Sequence, residues 1–316
     1  MFDIDLGGSA VMDIWTNFGS LEELMDQFPT EESCIPALFA LKWPHGFRCP
    51  NCRHVRAYVI RTRRLPLYEC SACRHQTSLT AGTILEGSRT SLRKWIAAIW
   101  LVSNPKVGIN AVRLRSIINV TYKTAWAMLH KIRTAISCAD EEERLEHRVH
   151  GFIAFNGPRL YPSVELGPRE QPIIVAASLA PIGEEFQYKM KQVNRRHMSG
   201  KLLLPCGRDR FIEEHISAPD SMISIIRQRF RVKQNSPLYT VFRRAQRWLC
   251  DTFRGISGKY LQHYLDEFCY RENAISRQAA GWEPLAAICC ADNGARRRYL
   301  SRTASSKTYV RYLAAA

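Results

Sequence analysis

The clearest chemistry in the chain is written in sulfur. Cys49-Pro50-Asn51-Cys52 is followed, after seventeen intervening residues, by Cys70-Ser71-Ala72-Cys73. Two C-x2-C pairs about 15–20 residues apart have the spacing of a four-cysteine zinc (Zn) site. Each pair sits on a tight turn that aims two thiolates at one centre. Two such turns face to face supply the four soft ligands that Zn2+ takes in a tetrahedron. Residues 55–60 and 65–69 read as a hairpin that carries the second turn back to the first. This predicts a zinc ribbon over residues 46–78, with Cys49, Cys52, Cys70 and Cys73 as ligands. Four sulfur ligands leave no position for water, so the zinc is expected to be structural and not catalytic. The competing readings are four unligated buried cysteines or two disulfides, and the spacing favours the metal.

The rest of the composition fits that choice. Of eleven cysteines, the seven outside the two pairs show no framework-like spacing, which suits a reducing cytoplasm. The first thirteen residues are acidic where a secretory leader needs a basic segment. No run of eighteen apolar residues occurs, so no membrane span or membrane partner is expected. The 316 residues leave room for two or three domains, and 46% hydrophobic content can fill their cores. Net charge is +16 and unevenly placed: residues 1–45 hold eight acids and one lysine, whereas residues 46–136 hold sixteen Lys and Arg against two Glu. A basic block of that length around a ribbon points to a polyanion partner, double-stranded DNA.

The elements that must carry this surface follow from periodicity. Residues 1–45 read as an arm and a helical pair. Ser20-x-x-Glu23 is a capping box ahead of Leu21, Leu24, Met25 and Phe28. A second helix with Ile35, Leu38, Phe39 and Leu41 follows, with Pro36 marking a kink or a shifted start. Residues 79–137 read as three helices. The first has apolar residues at 92, 95, 96, 99 and 100, and the second spans 109–118. After an Asn119-Val120 turn, Thr121 caps the third, 122–136, with Ala125, Met128, Leu129 and Ile132 inward. This is the helix-turn-helix arrangement, whose last helix enters the major groove. Arg113, Arg115, Tyr122, Lys123, Thr124, Lys131 and Arg133 are the candidate DNA contacts. Lys123 suits a phosphate or guanine, and Thr124 a base edge or thymine methyl. The bland alternative is a solvated basic face. An acidic link, Asp140-Glu141-Glu142-Glu143, leads to strand-like runs at 152–155, 172–177, 186–190 and 221–226, with helical patterns at 211–216 and 259–272. Residues 276–316, with Arg296-Arg297-Arg298, read as a basic C-terminal extension.

Several of these runs also carry a resemblance. They are Phe47-Arg48-Cys49-Pro50, Leu67-Tyr68-Glu69-Cys70, Thr80-Ala81-Gly82-Thr83-Ile84, Leu92-Arg93-Lys94-Trp95, Tyr122-Lys123-Thr124-Ala125-Trp126 and His263 to Asn273. Together they resemble bacterial insertion-sequence transposases with an N-terminal zinc ribbon. The resemblance implies a multidomain α+β chain: zinc ribbon, helix-turn-helix unit, then an α/β ribonuclease-H-like domain over residues 147–275. It implies DNA transposition, homo-oligomers, a bacterial cytoplasmic, nucleoid-associated protein, and an Asp, Asp, Glu triad. Such carboxylates hold two Mg2+ ions roughly 4 Å apart that clamp the attacking and leaving oxygens. The matching positions here fall near Asn156, Ile226 and Tyr239. No acid occurs from 147 to 164, nor from 221 to 250, where seven Lys and Arg stand instead. The expectation is a DNA-binding protein of this family that has lost strand transfer, so that Mg2+ is required only if catalysis is retained. The alternatives are a domesticated sequence-specific regulator, an active transposase with displaced acids, or a decayed fragment.

Overall fold

The computed structural model describes residues 18–104, 108–157, 164–179, 185–219, 222–277 and 281–291. The chain forms two compact units, Met1–Ala135 with Gly281–Ala316, and Ile136–Ala280.

In the first unit, α1 (Leu21–Gln27) starts at Ser20, whose hydroxyl accepts from the Glu23 N–H. The Glu23 carboxylate reaches back to the Gly19 N–H at 2.9 Å, so the capping residues do the work their spacing promised. In α2 (Cys34–Lys42) Pro36 falls in the first turn, where a missing N–H breaks no helical bond and no kink is required. The ribbon is a three-stranded antiparallel sheet of β1 (Ala57–Ile60), β2 (Leu67–Cys70) and β3 (Gln76–Ser78). The third strand was not expected, because three polar residues carry no hydrophobic pattern. Phe39, Trp43, Phe47 and Tyr68 form one aromatic cluster with centroids 5.0–6.1 Å apart, which seats the ribbon on α2.

Three helices follow: α3 (Leu92–Ser103), α4 (Ala111–Ile118) and α5 (Tyr122–Glu142). Asn110 caps α4 by accepting from the Arg113 N–H, and Asn119 ends it in the left-handed region at φ +49°. Asn tolerates that conformation because its short polar side chain bonds locally. Thr121 then accepts from the Thr124 N–H at 3.1 Å and opens α5. This last helix runs six residues further than its periodicity suggested.

The second unit is built on a four-stranded sheet in the order β6-β5-β4-β9. Strands β4 (Arg148–Asn156), β5 (Gln171–Leu179) and β6 (Glu185–Gln192) form an antiparallel meander. A small hairpin, β7 (Met198–Ser199) with β8 (Leu202–Leu203), and α6 (Pro205–His215) lead to β9 (Ile223–Ile226). Strand β9 pairs parallel to β4, from Val149 opposite Ile223 to Phe152 opposite Ile226. Both faces of the sheet are covered. Val149, Ile153 and Phe155 pack with α6, whereas Phe152 and Ala154 pack with α7 (Pro237–Phe253) and α8 (Leu261–Ser276). That explains why β4 and β5 read as unbroken apolar runs instead of alternating ones.

A last helix, α9 (Trp282–Cys290), returns to the first unit. Trp282 meets the ring of Phe28 edge-on at 6.0 Å, and the Cys289 carbonyl accepts from the Ile84 N–H at 3.1 Å. The segment expected as a basic extension therefore contains a core helix with Trp282, Leu285, Ala286, Cys289 and Cys290 buried. Arg296-Arg297-Arg298 lie outside the described residues.

Candidate metal centre and nucleic-acid interface

The four cysteines converge. Cys49 Sγ lies 3.6 Å from Cys73 Sγ, and Cys52 Sγ lies 3.5 Å from Cys70 Sγ. All four sulfurs fall within 4.8 Å of one another. A tetrahedron with Zn–S of about 2.3 Å has edges of roughly 3.8 Å, so the donor set fits zinc in both number and size. The two knuckles are built alike. In each, the first cysteine's N–H donates five residues ahead, to His54 or His75, and its carbonyl accepts four residues ahead, from Arg53 or Arg74. Arg53 and Arg74 both sit in the left-handed region, φ +63° and +59°. The His75 backbone N–H and the Asn51 amide hold the Cys73 thiol down to about 6. The His54 N–H favours a Cys52 thiolate too, yet the neighbouring sulfurs push that thiol up to about 12. Crowded sulfurs resist a second negative charge, and a divalent cation removes that resistance. The four-cysteine centre and the zinc-ribbon fold go together as a structural zinc site.

The proposed DNA-contacting residues separate into two groups. Arg113 and Arg115 on α4, and Tyr122 and Lys123 at the start of α5, are exposed. Thr124 is half-buried beside Thr121. Lys94 joins this region, donating from Nζ to the Asn119 carbonyl at the turn, 2.7 Å. Its position in the apolar-faced α3 gave no hint of that. By contrast, the Lys131 ammonium donates to the Glu86 carbonyl and lies 5.9 Å from the Trp95 ring centroid. Arg133 is 3% exposed, and its guanidinium donates to the Ile109 carbonyl at 3.3 Å. Arg133 is thus a core residue and no candidate for a DNA contact. It stands four residues after Leu129 and three before Ile136, on the face that α5 buries.

In the second unit, two of the three positions matched by resemblance to the triad meet at Phe152 and the third lines a cleft. Ile226 ends β9 opposite Phe152. Tyr239, in the first turn of α7, packs on Phe152 at 5.9 Å and on Phe242 at 6.1 Å. Asn156 ends β4 and lines a separate open cleft of about 1200 Å3. Arg169, Arg243, Arg247 and Arg254 share that cleft, and Asp251 is the one acid among its described lining residues. Among the described residues, the four-cysteine centre is the one cluster of three or more His, Cys, Asp or Glu with metal-binding geometry. Asp209 is exposed on α6 beside Arg208, and Asp220 lies outside the described residues.

The acidic link hides a different feature. Its Asp140 is the last-turn residue of α5 that accepts from Lys189 at 2.8 Å and from Lys191 at 2.6 Å. Lys191 also donates to Asp266 at 2.8 Å. The Lys189 side chain is fully buried. Burial alone would raise the Asp140 pKa, but the two ammonium groups hold it below the usual carboxylate range. His215, buried near the same lysines and repelled by them, is pushed down to about 3. No sequence pattern revealed this network, since its lysines come from alternate residues of a strand and its acids from two helices.

Comparisons with known proteins agree with this layout. Residues 29–76 match the transposase zinc-ribbon domain family, and residues 220–273 match the ISXO2-like transposase domain family. Two stretches of the chain are thus similar to domains of insertion-sequence transposases. The second match covers β9, α7 and α8 but not the strand that ends in Asn156. A relative described as an uncharacterized protein in transposable element ISH50 of Halobacterium salinarum is 30% identical over 112 residues. That stretch is 34% of this chain and 37% of the relative, so the chain spans little more than a third of the relative it matches. No solved structure matches the chain. No helix among the described residues is long and apolar enough to cross a membrane.

Proposed function

We propose that the protein is a DNA-binding member of the transposase family whose ribonuclease-H-like unit has lost strand transfer. The sheet order supports the fold assignment: three antiparallel strands, then a fourth parallel to the first, with helices on both faces. One observation carries the loss. Two of the three positions where the family has acids hold Ile226 and Tyr239 packed against Phe152, and the third holds the amide of Asn156 among arginines. An apolar contact and a neutral amide cannot neutralise two divalent ions. The ribbon and the α4–turn–α5 pair, read as a helix-turn-helix, grip the duplex through Arg113, Arg115, Tyr122, Lys123 and Thr124. Homo-oligomerisation and a place on the bacterial nucleoid come with this reading.

The test is direct. Zinc-loaded full-length protein with Mg2+ or Mn2+ is expected to bind duplex DNA and leave terminal-repeat DNA uncut and unjoined. Cleavage or joining that depends on the metal would overturn the loss of catalysis. Selection from a pool of duplex fragments at two salt concentrations then separates a sequence-specific regulator from a protein that binds all sequences equally.

A further inference from the structure

Phe230 is 82% exposed, more than any other aromatic side chain among the described residues. An exposed phenylalanine forgoes the favourable burial of its ring, and nothing in the local fold requires it to do so. The backbone around it is pinned. The Arg231 N–H donates to the Gln228 carbonyl and the Val232 N–H to the Arg229 carbonyl, both at 3.1 Å. Just upstream, the Arg227 carbonyl accepts from Leu203, and Gln228 bridges to Leu202. Val232 packs into the core. Phe230 therefore projects from a fixed single turn directly after β9.

The flanks decide what fits it. Arg227, Arg229, Arg231 and Lys233 surround the ring in sequence, no acid occurs from 221 to 250, and none of the four makes a salt bridge among the described residues, although Arg229 lies within electrostatic reach of Glu170. The Arg231 guanidinium stands 6.0 Å from the ring centroid. A protein-docking patch would surround the ring with apolar neighbours, but these neighbours are cations. A bare aromatic face between cations matches a base face between phosphates. Paired bases inside a duplex do not offer that face, whereas unpaired or unstacked ones do.

We infer that the Arg229-Phe230-Arg231 turn binds single-stranded or locally unpaired DNA, with a base stacked on Phe230 and phosphates on the flanking arginines. This rests on the proposed reading of the chain as a DNA-binding protein, but it assigns a separate site with a different ligand form.

The test uses zinc-loaded full-length protein and fluorescein-labelled oligothymidine of about twenty nucleotides, a duplex of about the same length, and that duplex with a short unpaired bubble. Phe230→Ala is expected to weaken single-strand and bubble binding about ten-fold and to leave duplex binding within about two-fold. Its slope of log affinity against log salt should stay that of the parent, because no charge is lost. Arg231→Ala should lower the single-strand slope by about 0.7. Phe230→Trp should restore the affinity. Unchanged single-strand affinity in Phe230→Ala overturns the proposal, as does equal loss on single strand and duplex. So does a change in sedimentation alone, which would assign Phe230 to a contact between copies. Parent protein that binds duplex but not single strands defeats this inference alone, whereas parent protein that binds neither defeats the proposed function.

Discussion

Replacing Cys70 with serine should unfold the ribbon. Cys70 is fully buried at the end of β2 and is one of the four convergent sulfurs. The three strands contain four, four and three residues, and fixing their backbones costs roughly 11–22 kcal/mol at 1–2 per residue. The apolar return is small: Phe47 and Tyr68 are the buried aromatics the ribbon contributes, worth about 3–6 kcal/mol together. Structural zinc contributes about 10–16 kcal/mol, which closes the gap. Serine cannot replace a thiolate ligand, so most of that term is lost. Tryptic digestion read by mass spectrometry is the assay, since Arg53, Arg56, Arg61, Arg63, Arg64 and Arg74 all lie in the segment. Cleavage there should rise at least about ten-fold and bound zinc should fall, while residues 136–280 stay intact. Cys34→Ser is the control, because Cys34 is equally buried, its thiol donates to the Thr30 carbonyl, and it belongs to no metal cluster among the described residues. A Cys70→Ser protein with full zinc content and a protease-resistant ribbon would refute the reasoning.

Asp140→Ala leaves the fully buried Lys189 ammonium with the Asp140 carbonyl but no counter-charge, and removes half of the Lys191 pairing, so urea unfolding should show a loss of about 3–5 kcal/mol, largely recovered when Lys189→Met is added. His215 titrates near 3 when folded and near 6.5 when unfolded. The unfolded chain therefore binds the extra proton between those values, and stability should fall as pH drops from about 6.5 towards 3. Replacing His215 with glutamine should flatten that part of the profile. Lys123→Ala and Arg115→Ala should each reduce the salt slope of duplex binding by about 0.9, measured by anisotropy. Arg133→Met should lower thermal stability and leave that slope unchanged, because its guanidinium is spent on Ile109.

Legibility followed locality. The metal centre could be read from the chain because its four ligands lie in two knuckles within 25 residues and their spacing encodes the geometry. The α4–turn–α5 pair was equally visible, since Asn119 and Thr121 carry their turn and cap chemistry locally. Arg133 misled because charge was read as exposure, although its spacing from Leu129 and Ile136 already put it on the buried face. Asp140 is illegible for a different reason: its lysine partners lie about fifty residues away on β6, and no local pattern announces them. The absence of acids near Asn156, Ile226 and Tyr239 was plain in the sequence. What the fold adds is that Ile226 and Tyr239 pack into the cluster around Phe152.

The return of α9 makes the first unit discontinuous, with residues 136–280 spliced into its middle. During synthesis the ribbon and its helices emerge first but lack the surface that Trp282, Leu285 and Cys289 provide. At about 5–20 residues per second, roughly ten to thirty seconds pass before that helix is made. In the meantime the contiguous second unit already has all its strands. A ribosome that stops near residue 280 therefore releases a protein whose first unit was begun first and lacks the helix that completes it.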